Sequence, residues 1–188
     1  MSYFDNQEFK QIDFTESKIQ KGEYDNCTFI KCNFSGIHAS NIQFIECDFI
    51  DCNLSNTIIK DSSFKVVKFI NCKMIGLKFH EVDPFLLQLN FQNCQLSFSS
   101  FRALKITNTK FDKCQLEEVD FSDSDVSGSK FKDSQLKNAI FEGSNLEKVD
   151  FTTAIAFKID PNQNKLKEAK FSQHNLNGLL DKYQIIIE

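Results

Sequence analysis

The chain has 188 residues, with 22 Lys and Arg against 26 Asp and Glu, a formal net charge of −4 and a hydrophobic fraction of 41%. That is room for one domain or at most two small ones, and an acidic balance with no basic block excludes ordinary groove-reading of nucleic acid. Phe accounts for 21 residues while Trp is absent, and this excess needs an explanation.

The N-terminus, MSYFDNQEFK, lacks a positive flank followed by an apolar stretch. No segment approaches the ~18 apolar residues that read as a membrane span, so no membrane partner is expected. Seven cysteines, an odd number in a chain too long for a disulfide miniprotein, suit a reducing compartment, and a cytoplasmic protein with free thiols is expected.

From Phe4 an apolar residue recurs at every fifth position, through Phe9, Phe14, Ile19, Tyr24, Phe29, Phe34 and Ala39 and on to Phe79. The register restarts at Phe91 and runs through Leu96, Phe101, Ile106 and Phe111 to Phe151 and Ala156. Neither a helix nor a strand repeats at five, so the chain is not an ordinary bundle or sandwich. Two residues before each centre the side chain is mostly small or apolar, and Cys27, Cys32, Cys47, Cys52, Cys72, Cys94 and Cys114 all fall there. The other three positions carry nearly all the charge, so each five-residue unit reads as one wall with two inward positions. Phe recurs at a lag of twenty (Phe9, Phe29, Phe49, Phe69) and mostly fails at ten, where Ile19, Ala39 and Ile59 intervene, so four walls close one coil. Like side chains then stack coil on coil, as in a solenoid.

The units CNFSG, CDFID, CNLSN, VDFSD and SNLEK resemble the pentapeptide repeat family over roughly residues 4 to 156. The resemblance implies an all-β fold, a right-handed quadrilateral β-helix with parallel strand-like bridges and a turn at each corner. Residues 1–171 are expected to form this solenoid, and 172–188 a C-terminal capping or dimerisation module.

Between Phe79 and Phe91 the segment HEVDPFLLQLN carries two extra residues around Pro84, so a register break is expected at 80–90. It is the main irregularity inside the repeat, and Glu81, Asp83 and Pro84 are therefore candidates for a partner-binding surface. Beyond Ala156 one more partial coil is expected from Leu166, Ala169 and Phe171. Leu176, Leu179, Leu180 and Tyr183 then fall at helical spacing, which predicts a short helix over about 173–183 with Ser172 as N-cap, followed by a strand in QIIIE. This ending also resembles the module through which Qnr-type pentapeptide proteins dimerise end to end. A homodimer through Leu176, Leu179, Leu180, Tyr183, Ile185, Ile186 and Ile187 is the expectation that follows.

No catalytic constellation can be assembled. The cysteine spacing is not that of zinc ligands, and His38, His80 and His174 sit in unrelated units without a nucleophile beside them. There is no Gly-rich phosphate loop. No enzyme activity, cofactor or metal is expected. Residues 112 to 150 hold ten acids against five lysines, and the wall of Phe101, Phe121 and Phe141, with Asp120, Asp123 and Glu142 against Arg102, is the most consistently acidic. That wall is the expected contact face. The Qnr-type resemblance implies a DNA-mimicking rod that binds a type II topoisomerase, DNA gyrase or topoisomerase IV, and modulates it or protects it from quinolones. A structural or regulatory scaffold for another protein partner is the alternative reading.

Overall fold

Each corner of the coil needs a residue that turns the backbone through the left-handed region, and one stands two positions after most centres: Asn26, Lys31, Asn56, Asn71 and Asp123, for example, have φ between 48° and 58°. Asn, Asp and Gly are favoured there because short polar side chains, or none, tolerate positive φ. Between corners the chain is extended. In the computed structural model, which describes residues 2–186, these segments stack as parallel strands and single bridges to form a four-sided β-solenoid.

On the first wall, β1 (Ser2–Asp5), β3 (Gly22–Asp25), β5 (Gln43–Ile45) and β7 (Ser63–Lys65) form one parallel sheet. On the second wall, β2 (Glu8–Lys10), β4 (Thr28–Ile30), β6 (Asp48–Ile50), β8 (Val67–Ile70), β9 (Leu89–Gln92) and β10 (Lys110–Asp112) form another. The register advances by twenty residues, as in Phe9 to Phe29 to Phe49, except that Phe69 pairs with Phe91. The two extra residues are taken up before Leu89, where Asp83 still bridges Ser63 and the Gln88 N–H donates to the Phe64 carbonyl. The third and fourth walls are linked by isolated parallel bridges such as Asn33 to Asn53 and Ser100 to Asp120.

The core is a set of aromatic columns. Phe91, Phe111, Phe131 and Phe151 stack nearly parallel at 4.8 to 5.1 Å, and Phe101, Phe121 and Phe141 do so on the opposite wall at 5.0 to 5.2 Å. Rings of the two columns meet edge to face, as Phe121 meets Phe131 at 88°. Both geometries are favourable for the ring quadrupole, at about 0.5–1.5 kcal/mol per pair beyond burial. All of the 21 Phe except Phe85 and Phe98 lie in this core or pack against it. The interior holds rings, not a cleft.

All seven cysteines are buried and free, as expected. All but the Cys114 thiol reach a carbonyl of the coil below: Cys52 Sγ lies 3.3 Å from the Phe29 oxygen, and Cys72 Sγ 3.3 Å from that of Phe49. Ser134 and Ser144 make the same bond from the same position, to Phe111 and Phe121. Burial pushes the Cys47 thiol up to about 12, so it stays protonated at neutral pH.

Several expectations need correction. Phe4, Phe9 and Phe14 of the first coil are only partly buried, because no coil lies beneath them among the described residues. Ala156 is not a core centre. It is exposed with φ 59°, and Phe157 enters the core instead, packed 5.5 Å from both Phe151 and Phe171. The partial coil does form, with Phe171 stacked on Phe151 at 5.4 Å. The C-terminal helix is broken into a 3-10 turn (Gln173–Asn175), a single α-turn, α1 (Asn177–Leu180), and a second 3-10 turn (Asp181–Tyr183). Ser172 caps it as expected, in a reciprocal capping box with Asn175. The strand expected in QIIIE is absent over Gln184, Ile185 and Ile186, and Gln184 turns left-handed at φ 50°, which interrupts extended backbone at the segment's start. Ile187 lies outside the described residues.

Candidate protein-binding surface

The expected contact residues lie along one edge of the rod, where the fourth wall turns into the first. Asp61 donates its N–H to the Glu81 carbonyl, and one and two coils further on Ala103 and Asp123 occupy equivalent corner positions. Glu81 ends a short 3-10 turn (Phe79–Glu81) and is 3.8 Å from the Lys78 ammonium. Asp83 caps the inserted loop by accepting the Phe85 N–H at 3.0 Å, and Pro84 is exposed beside it.

Asp120 is half-buried, with its carboxylate accepting the Ser122 N–H at 2.9 Å, so it holds the turn as well as carrying charge. Asp123 and Glu142 are exposed, and the Arg102 guanidinium is 3.7 Å from Asp123. The structure thus brings Asp123 and Glu142 to adjacent levels of one edge, with Glu81 two coils before Asp123. The acidity does not run the length of that wall, because Lys60 and Lys78 occupy it in the preceding coils. Around the C-terminal half of the rod the first and second walls are mixed, with Lys105, Lys110, Lys130, Lys132 and Lys148 beside Asp112, Asp125, Asp133, Glu147 and Asp150, whereas the third and fourth are mainly acidic, with Glu117, Glu118, Asp120, Asp123 and Glu142. There Lys137 is paired to Glu117 at 3.2 Å.

Two features escaped the sequence reading. The first is an acidic patch on the first wall near the N-terminal end, from Asp5, Glu23, Asp25 and Glu46, with the Tyr3 hydroxyl donating to Asp25 at 3.2 Å. Sorting charges by a lag of twenty would have exposed it. The second is a set of apolar side chains in solvent at corners: Val66, Leu86 and Phe98 all have positive φ and are 41%, 64% and 57% exposed. Phe85 is 64% exposed on the inserted loop, with the Lys65 ammonium 5.7 Å from its ring. For Val66 and Phe98 the signal was an apolar residue two positions after a centre, where the repeat calls for a polar one; Phe85 and Leu86 fall in the register break, where no centre marks them.

Of the expected dimerisation residues, Leu176, Tyr183, Ile185 and Ile186 are exposed and Leu180 is partly so, while Leu179 packs against the core. The segment is held down by Ile159, whose N–H donates to the Gly178 carbonyl at 2.9 Å, and by Lys182, which reaches Asp160 at 2.6 Å. Lys182 holds the Asp160 carboxyl below its usual range. Among the described residues no group of three or more His, Cys, Asp or Glu is placed to hold a metal ion, and no helix is long and apolar enough to cross a membrane.

Stacked five-residue walls of this kind define a class, and the sequence agrees with it: residues 23–84 and 85–151 match the pattern of the pentapeptide repeat region. The chain belongs to the pentapeptide repeat family. No curated protein matches it. Among solved structures, a trypsin-treated form of QnrB1, a plasmid-mediated fluoroquinolone resistance protein, superposes with a TM-score of 0.65 at 17% identity over 100% of both chains. Full-length QnrB1 gives 0.65 at 17% identity, covering 98% of this chain and 100% of that one.

Proposed function

We propose that the protein is a non-enzymatic, protein-binding rod that acts in the cytoplasm on a type II topoisomerase, DNA gyrase or topoisomerase IV, by occupying the surface on which the enzyme holds duplex DNA. The observation that carries this reading is the end-to-end correspondence with a fluoroquinolone resistance protein, which extends over the whole of both chains. The acids along the edge from Glu81 to Asp123 and Glu142 supply charge of the sign a DNA mimic needs, and a core filled with rings leaves no cleft for a substrate. The exposed Leu176, Tyr183, Ile185 and Ile186 support a homodimer through the C-terminal segment, which would about double the rod.

A scaffold for another protein is the second reading. The mixed charge on every wall favours it, since duplex DNA presents one phosphate per ~1.7 Å and this edge is far more dilute. Supercoiling by purified gyrase, with and without a quinolone, separates the two. The topoisomerase reading expects inhibition or protection as the protein is titrated to tens of micromolar. Supercoiling unchanged throughout leaves the scaffold.

A further inference from the structure

The inserted loop exposes apolar side chains that the fold itself does not use. Phe85 and Leu86 stand in solvent beside Val66, which occupies the corner one coil before them. The loop is tied mainly within itself, the Phe85 N–H donating to the Asp83 carboxylate and the Leu87 N–H to the Pro84 carbonyl, and it rejoins the first wall at Gln88, whose N–H donates to the Phe64 carbonyl. These side chains form a ledge across the first wall. From Ser2 to Val66 that wall and the corners on either side of it carry Asp5, Glu23, Asp25, Glu46 and Asp61 against only Lys21 and Lys65, which is most of the chain's net charge of −4. Glu81 and Asp83, at the foot of the loop, add the same sign. Among the described residues none of those five acids has an ion-pair partner, whereas on the adjoining second wall the charges pair off, Lys10 with Glu8 and Lys68 with Asp48 at 3.6 Å. On the other side the fourth wall carries Lys18, Lys60 and Lys78. The acidic strip is therefore one wall wide and, over four coils, ~15 Å long, and an apolar ledge closes its upper end.

We propose that the ledge and strip dock a cationic, amphipathic segment of a partner protein, laid along the rod with a bulky apolar side chain against Val66, Phe85 and Leu86 and its basic side chains over the first-wall acids. Charge complementarity fixes the sign of the occupant, because a nucleic acid or an anionic membrane meets like charge here and is repelled. The ledge fixes the rest: apolar surface clustered beside a polar field gains by being covered, and a purely cationic partner leaves it in water. A helix of about ten residues spans the strip. This surface lies apart from the edge of Asp123 and Glu142 and does not rest on the topoisomerase reading, since the segment can belong to any partner protein.

The test uses the full chain and three fluorescein-labelled peptides of equal length: one of Lys and Leu in amphipathic helical order, a second with every Leu replaced by Ser, and a third with every Lys replaced by Glu. Fluorescence anisotropy should show the Lys–Leu peptide binding at least about tenfold more tightly than either of the others. Phe85→Ser with Leu86→Asn should weaken that binding about tenfold and keep its salt dependence, whereas Glu23→Lys with Glu46→Lys should weaken it as much and flatten the salt dependence. Lys105 and Lys148 already occupy the equivalents of Glu23 and Glu46 further along the rod, so the reversal suits the backbone, and an unchanged far-UV circular dichroism spectrum checks the fold. Asp133→Lys, at an exposed corner in the C-terminal half, should bind as the wild type does. Failure of the Lys–Leu peptide to bind at about 100 μM, equal affinity for the Lys–Ser peptide, undiminished binding by either double variant, or an equal loss in Asp133→Lys each overturns the proposal.

Discussion

At a corner, the left-handed backbone costs a residue with a Cβ about 1–2 kcal/mol unless its side chain is short and polar. Most corners comply, with Asn, Asp or Gly. Val66 and Phe98 do not: both have φ near +60° and neither is buried, so packing does not repay the strain. Val66→Asn and Phe98→Asn are each expected to raise stability by about 1 kcal/mol, measured as a higher urea midpoint at unchanged slope. A loss of stability would mean that these side chains do structural work on the rod. Inward positions were easy to read in the sequence because the core accepts only a narrow range of volumes, so Phe, Leu, Ile and Cys recur there. Corner positions were not, since Lys31, Glu46 and Ala103 take the same backbone as Asn26 and no composition rule marks them.

Among the elements, the C-terminal segment is the one held by polar ties rather than by the repeat. Its ion pair sets a pH window. The Asp160 carboxyl is lowered by its hydrogen bond from Lys182, so the stability it contributes is present above its ordinary value of 3.8 and is lost as pH falls through the lower folded value. Lys182 is raised by Asp160, so its contribution is complete below 10.5 and is lost only above the raised value. Protease nicking of residues 173–186 should therefore be flat from pH 5 to pH 9 and increase in strong acid, and Asp160→Asn should show the increased nicking at neutral pH. The helix start at Ser172 was legible because capping is local chemistry. The strand in QIIIE was misread, since three isoleucines carry strand propensity but a strand needs an edge to pair with. Ala156 failed for a related reason: spacing alone cannot choose between it and the adjacent Phe157 once the ladder ends.

For the whole molecule, each coil touches only its neighbours, so stability is distributed along the axis as in other solenoids. The columns are most regular in the C-terminal half, where Phe111 and Phe131 are 4° from parallel, and least regular at the start, where Phe14 and Phe34 are 30° apart. Amide hydrogen exchange should follow that gradient, with strongest protection over residues 96–151 and fastest exchange over 2–21. Uniform protection along the rod would show that it unfolds as a single cooperative unit. The architecture was legible almost entirely, because a lag of twenty maps directly onto the coil. The contact surface was legible only in part, because it depends on which walls the charges share.

The 22-residue step from Phe69 to Phe91 has a consequence for how the chain finds its fold. In an unbroken array of twenty-residue coils, a segment displaced by one full coil would meet nearly the same rings and the same carbonyls, and little would penalise the mistake. The two inserted residues remove that degeneracy: coils before Pro84 and coils after it cannot exchange neighbours without leaving the loop either slack or overstretched. The irregular coil is thus a molecular address. It tells each half of a near-periodic chain where along the stack it belongs.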